Sequence, residues 1–226
     1  MKAMILAAGR GERMKPLTDV TPKPLLKIAG IPLLEYHIVN LKRAGIYDLV
    51  INHAWLGQQI ADYFGDGKKW GVNIVYSVEQ NGALETAGGI IKALPLLGEE
   101  PFLLVNGDIY CDYDFAQLNA LAENELAHLV LVPNPDHVPL GNFALIDGKL
   151  DFAEHLPNKH TYAGIGLYDP KLFAGMAAEF MPLAPILRQA MSDKRIGGHV
   201  FNGLWSDIGT VERLTQINQI VKKVKD

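Results

Sequence analysis

Residues 6–18 read LAAGRGERMKPLT, and residues 21–26 read TPKPLL. They follow KAMILA (2–7), an apolar run without polar alternation, which predicts a strand buried on both faces of a sheet. Gly9 and Gly11 allow the backbone to approach a ligand closely. Arg13 adds a forked phosphate donor and Lys23 a mobile point charge. Two readings compete: a solvated polar turn, or an anion cradle lined by successive free N–H groups. A dinucleotide fingerprint is excluded, because Met14 stands where a third small residue is needed and Pro16 and Pro22 keep the chain extended. No G-x-x-x-x-G-K-[ST] run occurs, which excludes a Walker loop.

Moving outward, YDLVIN (47–52), VNIVYS (72–77) and PFLLVN (101–106) read as further buried strands. PLLEYHIVNLKRAG (32–45), GQQIADYF (57–64) and ETAGGIIKAL (85–94) read as the helices between them. Alternating strand and helix imply a doubly wound, mostly parallel, Rossmann-like α/β sheet. DFAQLNALAEN (114–124) predicts another helix, with Asp114 and Gln117 as a capping box. Beyond about residue 135 the texture becomes β-rich. NFALIDGKLDF (142–152) predicts a type I′ hairpin at Asp147-Gly148, and TYAGIGLYDP (161–170) a strand. TVERLTQINQIVKKV (210–224) predicts an amphipathic helix with Val211, Leu214, Ile217 and Val221 facing the body. The expectation is a single domain over 1–226: an α/β core to about 135 and a smaller β-rich elaboration after it.

Composition narrows the function classes. With 49% hydrophobic and 20% charged residues the 226-residue chain is an ordinary globular one. Its single cysteine, Cys111, excludes an intramolecular disulfide and suits a reducing compartment. No apolar run reaches the ~20 residues of a membrane span. The opening MKAMILAAG is too short for a signal sequence, and a cytoplasmic location is expected. A net charge of −4 argues against nucleic acid as a partner. Yet Lys2, Arg10, Arg13, Lys15, Lys23 and Lys27 crowd the first thirty residues against Glu12 and Asp19 alone, which points to a small anion.

Two carboxylates complete the constellation. Asp108 follows Asn106-Gly107 at the C-terminal end of a strand, where ligands of open α/β sheets sit; there it could ligate Mg²⁺ or cap a turn. Asp207, in Trp205-Ser206-Asp207-Ile208-Gly209-Thr210, could be a second ligand or simply precede a helix capped by Thr210.

The opening signature, NGD at 106–108, ETAGG at 85–89 and WSDIGT at 205–210 together resemble the sugar-phosphate nucleotidyltransferases over almost the whole chain. The resemblance implies that UTP or another nucleoside triphosphate reacts with a sugar 1-phosphate. It places Leu6, Ala7, Ala8, Gly9, Gly11, Glu12, Arg13, Lys23 and Asn106 around the triphosphate, with Gln80 and Gly82 by the base. Arg13, Lys23 and Asp108 take catalytic roles, and Asp108 and Asp207 bind Mg²⁺. Gly141, Asn142, Glu154, Gly164 and Asn202 fall on the sugar side. Within the family the pattern is most similar to the branch that uses UTP and N-acetylmuramate 1-phosphate in bacterial cell-wall recycling. The mannose-1-phosphate guanylyltransferases share much of it, although a familiar Gly-Thr-Ala is here Glu85-Thr86-Ala87. It also implies a nucleotide-binding core over about 1–135, a sugar-phosphate-binding part over about 136–226 and no C-terminal β-helix, and a monomer or small homo-oligomer is expected.

Overall fold

The computed structural model describes residues 1–80 and 82–225. Its strands are β1 (Lys2–Leu6), β2 (Lys27–Ile28), β3 (Ile31–Pro32), β4 (Asp48–His53), β5 (Asn73–Val78), β6 (Phe102–Asn106), β7 (Ile109–Cys111), β8 (Ala127–Val132), β9 (Phe143–Ile146), β10 (Lys149–Asp151), β11 (Lys159–Tyr168), β12 (Ile196–Val200) and β13 (Trp205–Asp207). The helices are α1 (Leu17–Val20), α2 (Leu33–Arg43), α3 (Gly57–Phe64), α4 (Glu85–Leu97), α5 (Leu183–Ser192) and α6 (Val211–Lys225).

One nine-stranded sheet runs β5-β4-β1-β6-β11-β8-β12-β10-β9. The first four strands are parallel, and β11 then pairs antiparallel with both β6 and β8. Successive residues of β1 face opposite sides. Ala3 and Ile5 pack with Leu34, Ile38 and Ile60 of α2 and α3. Met4 packs with Ile90 of α4 and Leu187 of α5 on the other side. Each such buried Ile, Leu or Met side chain contributes ~1.5–3 kcal/mol of transfer free energy. That two-sided burial is why the strands lack alternation, and it bears out the doubly wound α/β reading.

A third cluster joins Met14 of the signature loop to Ile208 and to Ile217 and Val221 of α6. The last helix is thereby tied to the first loop. The hairpin at Asp147-Gly148 has φ of 49° and 77°, as a type I′ turn requires, and pairs Lys149 with Ile146.

Two local expectations fail. Residues 114–124 do not form a helix: only Phe115–Gln117 make a single 3₁₀ turn, capped when Asp114 accepts from Ala116 N at 3.0 Å. Phe115 and Leu118 are drawn into the core, and the chain then leaves toward β8 through Asn124 at φ 65°. On α6, Val211 is exposed; Ile217 and Val221 carry the buried face.

Candidate active site

The ends of β1, β4, β5 and β6 open into a cavity of about 230 Å³. Leu6, Ala7, Ala8, Gly9, Gly11, Lys23, Asn106 and Asp108 line it, as the sequence suggested. Asn52, Glu79, Glu85 and Thr86 line it too and were not anticipated.

The loop after β1 is held from several sides. Ala7 N donates to Asn52 Oδ1 at 2.8 Å, and buried Thr18 donates its hydroxyl to Gly11 O at 2.8 Å. Gly11 stands at φ 71°, a left-handed conformation that favours glycine. Met14 anchors the far side in the core. Trp55 Nε1 donates to Thr18 O at 3.0 Å, and the Arg10 guanidinium lies 4.0 Å from the Trp55 ring centroid.

Asn52 and Glu79 form a buried relay between two loops. Asn52 Nδ2 donates to Glu79 Oε1 at 2.7 Å, and Leu84 N donates to Glu79 Oε2 at 2.8 Å. Both carboxylate oxygens of a buried glutamate are thus satisfied without any cation, and the loop after β1 is coupled to the start of α4. Their signal in the sequence was position: each is a polar residue at the C-terminal end of an apolar strand.

Gly107 closes the other wall. A Cβ there would stand 2.5 Å from Leu6 O, so only glycine lets the end of β6 tuck against β1, where Gly107 N donates to Leu6 O at 2.8 Å. Asp108 is thereby brought to Lys23, whose Nζ donates to Asp108 Oδ2 at 2.7 Å. The lysine side chain is 10% exposed and the aspartate 41%, so the pair keeps a cation at the cavity wall with its counter-ion facing solvent.

Asp207 reaches the same region from the other end of the chain. β13 pairs antiparallel with β7, and Ile208 N donates to Asp108 O at 2.7 Å. Arg213 Nη1 donates to Asp207 Oδ2 at 2.5 Å. His137 Nε2 lies 3.0 Å from Asp207 Oδ1, yet that shielded oxygen receives no aligned hydrogen bond. Asp207, His137 and Arg213 line a neighbouring cleft rather than the cavity itself. Arg13 extends toward this segment, its Nη2 being 3.1 Å from where a Cβ on Gly209 would lie.

A hard cation that takes one or two protein carboxylates fits this donor set. Asp207 offers a buried oxygen with no hydrogen bond, and Asp108 has Oδ1 free among the described residues. No group of three or more His, Cys, Asp or Glu among the described residues could hold a metal unaided.

The remaining expected residues lie farther out. Glu12 pairs with Arg10 and Lys15; the Lys15 ammonium holds its carboxyl below the usual range. Gln80 and Gly82 are exposed, flanking Asn81, which lies outside the described residues. Gly164 backs the cavity directly, since a Cβ there would stand 2.7 Å from Asn106 Cγ. Gly141 packs against Asn134 and Lys159. Asn142 spends its amide oxygen on Tyr162 N at 2.9 Å. Glu154 and Asn202 are exposed. Cys111 is buried, and desolvation pushes its thiol up to about 12, so it has no reactive thiolate at neutral pH.

A family model described as nucleotidyl transferase matches residues 2–224. The chain belongs to that family. An N-acetylmuramate alpha-1-phosphate uridylyltransferase of Neisseria meningitidis serogroup B is 54% identical over 222 residues, covering 96% of each chain. One of the same description from Caulobacter vibrioides is 31% identical, covering 92% of this chain and 91% of its own. An inositol-1-phosphate CTP transferase structure from T. maritima superposes with a TM-score of 0.79 at 18% identity, over 100% of this nucleotidyltransferase and 96% of that chain; it supports the fold alone.

Proposed function

We propose that this nucleotidyltransferase moves the uridylyl group of UTP to N-acetylmuramate 1-phosphate, giving the UDP-sugar and pyrophosphate in the cytoplasm as part of cell-wall recycling. The observation that carries the reading is the 54% identity, over 96% of both chains, to the neisserial uridylyltransferase. A phosphate oxygen of the sugar attacks the α-phosphorus in line with the departing pyrophosphate. The nucleophile is already ionised at neutral pH, so no general base is needed and no histidine is assigned to catalysis.

Two polyanions must meet, so positioning and charge neutralisation dominate the barrier. Gly9 and Gly11 open the loop's N–H groups to the triphosphate. Lys23 would meet the phosphates from the cavity wall, while Arg13 would stabilise the departing pyrophosphate. Asp108 and Asp207 would hold Mg²⁺, which when bound neutralises phosphate charge. Asn52 and Glu79 orient the two loops and touch no reacting atom.

Product analysis tests the reading. Mass spectrometry of reactions offering each of four nucleoside triphosphates to N-acetylmuramate, N-acetylglucosamine, glucose and mannose 1-phosphates should show UDP-N-acetylmuramate as the main product. GDP-mannose as the main product would move the enzyme to another branch of the family.

A further inference from the structure

Arg213 stands in the first turns of α6, and its side chain is 14% exposed. Its Nη1 donates to Asp207 Oδ2 and to His137 Nε2, both at 2.5 Å. A guanidinium can only donate, so His137 Nε2 accepts there and has no proton to give Asp207 Oδ1, 3.0 Å away. That is why the shielded Oδ1 has no hydrogen bond. Asp108 is built in the same way, with Lys23 Nζ on its Oδ2 at 2.7 Å, and Ile208 N on Asp108 O ties the two acids together. Two carboxylates thus meet two cations of the chain, while Arg13 and Asp136 add one charge of each sign nearby. A divalent ion gains little by entering a cluster so nearly neutral, and it must compete with Arg213 for Asp207.

The guanidinium has a second partner within reach. A Cβ on Gly209 would collide with Arg213 Nη2 and stand 3.1 Å from Arg13 Nη2, so the two arginines flank one spot. A phosphate there would meet two planar forks suited to bidentate binding. We propose that Arg213 couples the metal to the nucleotide. It holds Asp207 until a phosphate of the triphosphate takes the guanidinium, and only then releases the carboxylate to the divalent cation. The ion and the triphosphate therefore enter together rather than metal first. The proposal rests on the nucleotidyl-transfer reading and on the metal role given to Asp207.

Two equilibrium measurements on the full chain test it. Mn²⁺ alone is titrated into wild type, Arg213→Gln and Arg213→Met, with the free ion read by electron paramagnetic resonance. UTP binding in Mg²⁺ buffer is measured on the same proteins by calorimetry. Both neutral variants should bind Mn²⁺ about tenfold or more tightly than wild type, and UTP about tenfold or more weakly, the scale of one hydrogen bond to a charged group. A residue that only props up the fold would weaken both. Arg213→Lys, which keeps the charge, should stay close to wild type for Mn²⁺. The gain should vanish when Asp207→Ala is added to Arg213→Gln. Mn²⁺ binding no tighter in the neutral variants, unchanged UTP affinity, or a gain that survives Asp207→Ala would overturn this proposal alone. A wild-type protein that binds no UTP in Mg²⁺ buffer would overturn it together with the reading on which it rests.

Discussion

The end of this molecule proposed to hold phosphate and the end proposed to hold the sugar are built differently. At the phosphate end, Leu6–Gly11 and Lys23 are close in sequence, and each is pinned by a named partner: Ala7 by Asn52, Gly11 by Thr18, Lys23 by Asp108. At the proposed sugar end, Gly141, Asn142, Glu154, Gly164 and Asn202 come from four separate segments. Gly164 abuts the cavity wall at Asn106, whereas Asn142 holds the start of β9 to β11 through Tyr162 N and His160 O. Phosphate needs backbone N–H groups and a few fixed charges, which a short contiguous loop can supply. A sugar needs side chains converging from several elements.

Removing Asp108 or Lys23 should have the largest effect. Asp108→Ala leaves the Lys23 ammonium without its counter-ion, and either Asp108→Ala or Lys23→Ala should lower kcat by roughly 100-fold or more in steady-state assays. Near-normal turnover of folded Asp108→Ala in Mg²⁺ would remove the distinction drawn for the phosphate end. Gly164→Ala sharpens the comparison from the other side. The added Cβ meets Asn106 and the backbone stands at φ 75°, so kcat/KM should fall about tenfold, with a loss of ~1–3 kcal/mol in stability. Asn142→Ala removes the acceptor of Tyr162 N, so it should cost ~1 kcal/mol of stability in urea unfolding and raise KM for the sugar phosphate.

Glu79→Ala strands Asn52 Nδ2 and Leu84 N, two donors around a buried site, at ~1–3 kcal/mol each. It should raise KM for the nucleotide more than it lowers kcat, and Glu79→Gln should recover part of the loss.

The smallest effect at neutral pH concerns His37. Burial lowers its pKa from 6.5 to about 4, so between those values the unfolded chain binds a proton that the folded one refuses. Stability is therefore complete above pH 6.5 and falls as pH drops toward 4, by on the order of 3 kcal/mol. His53 and His199, also lowered chiefly by burial, act in the same direction. Thermal unfolding against pH should show a shallower acid limb in His37→Leu.

Much of the architecture was legible because burial on both faces leaves a continuous apolar run. β1, β4, β5, β6 and the helices between them could be placed to within a few residues. β12 was not legible: Ile196–Val200 carries Gly197 and Gly198, where side chains would collide with Glu125 and Leu129 O, and two glycines hide a strand's pattern. α5 begins LAPI, and Pro185 in its first turn reads as a breaker although it is tolerated there. In the site, the glycines and charges of the signature announced themselves. Asn52 and Glu79 did not, because a polar residue ending a strand gains meaning only when strand order brings β4 and β5 beside β1.

The measurement that tests the central claim most directly is pyrophosphate release by the purified protein with Mg²⁺, UTP and N-acetylmuramate 1-phosphate, run beside GTP with mannose 1-phosphate. The account predicts rapid release from the first pair, little from the second, and a loss of roughly 100-fold or more in Asp108→Ala. Equal or faster release from the second pair, or an Asp108→Ala enzyme as active as wild type, would contradict it.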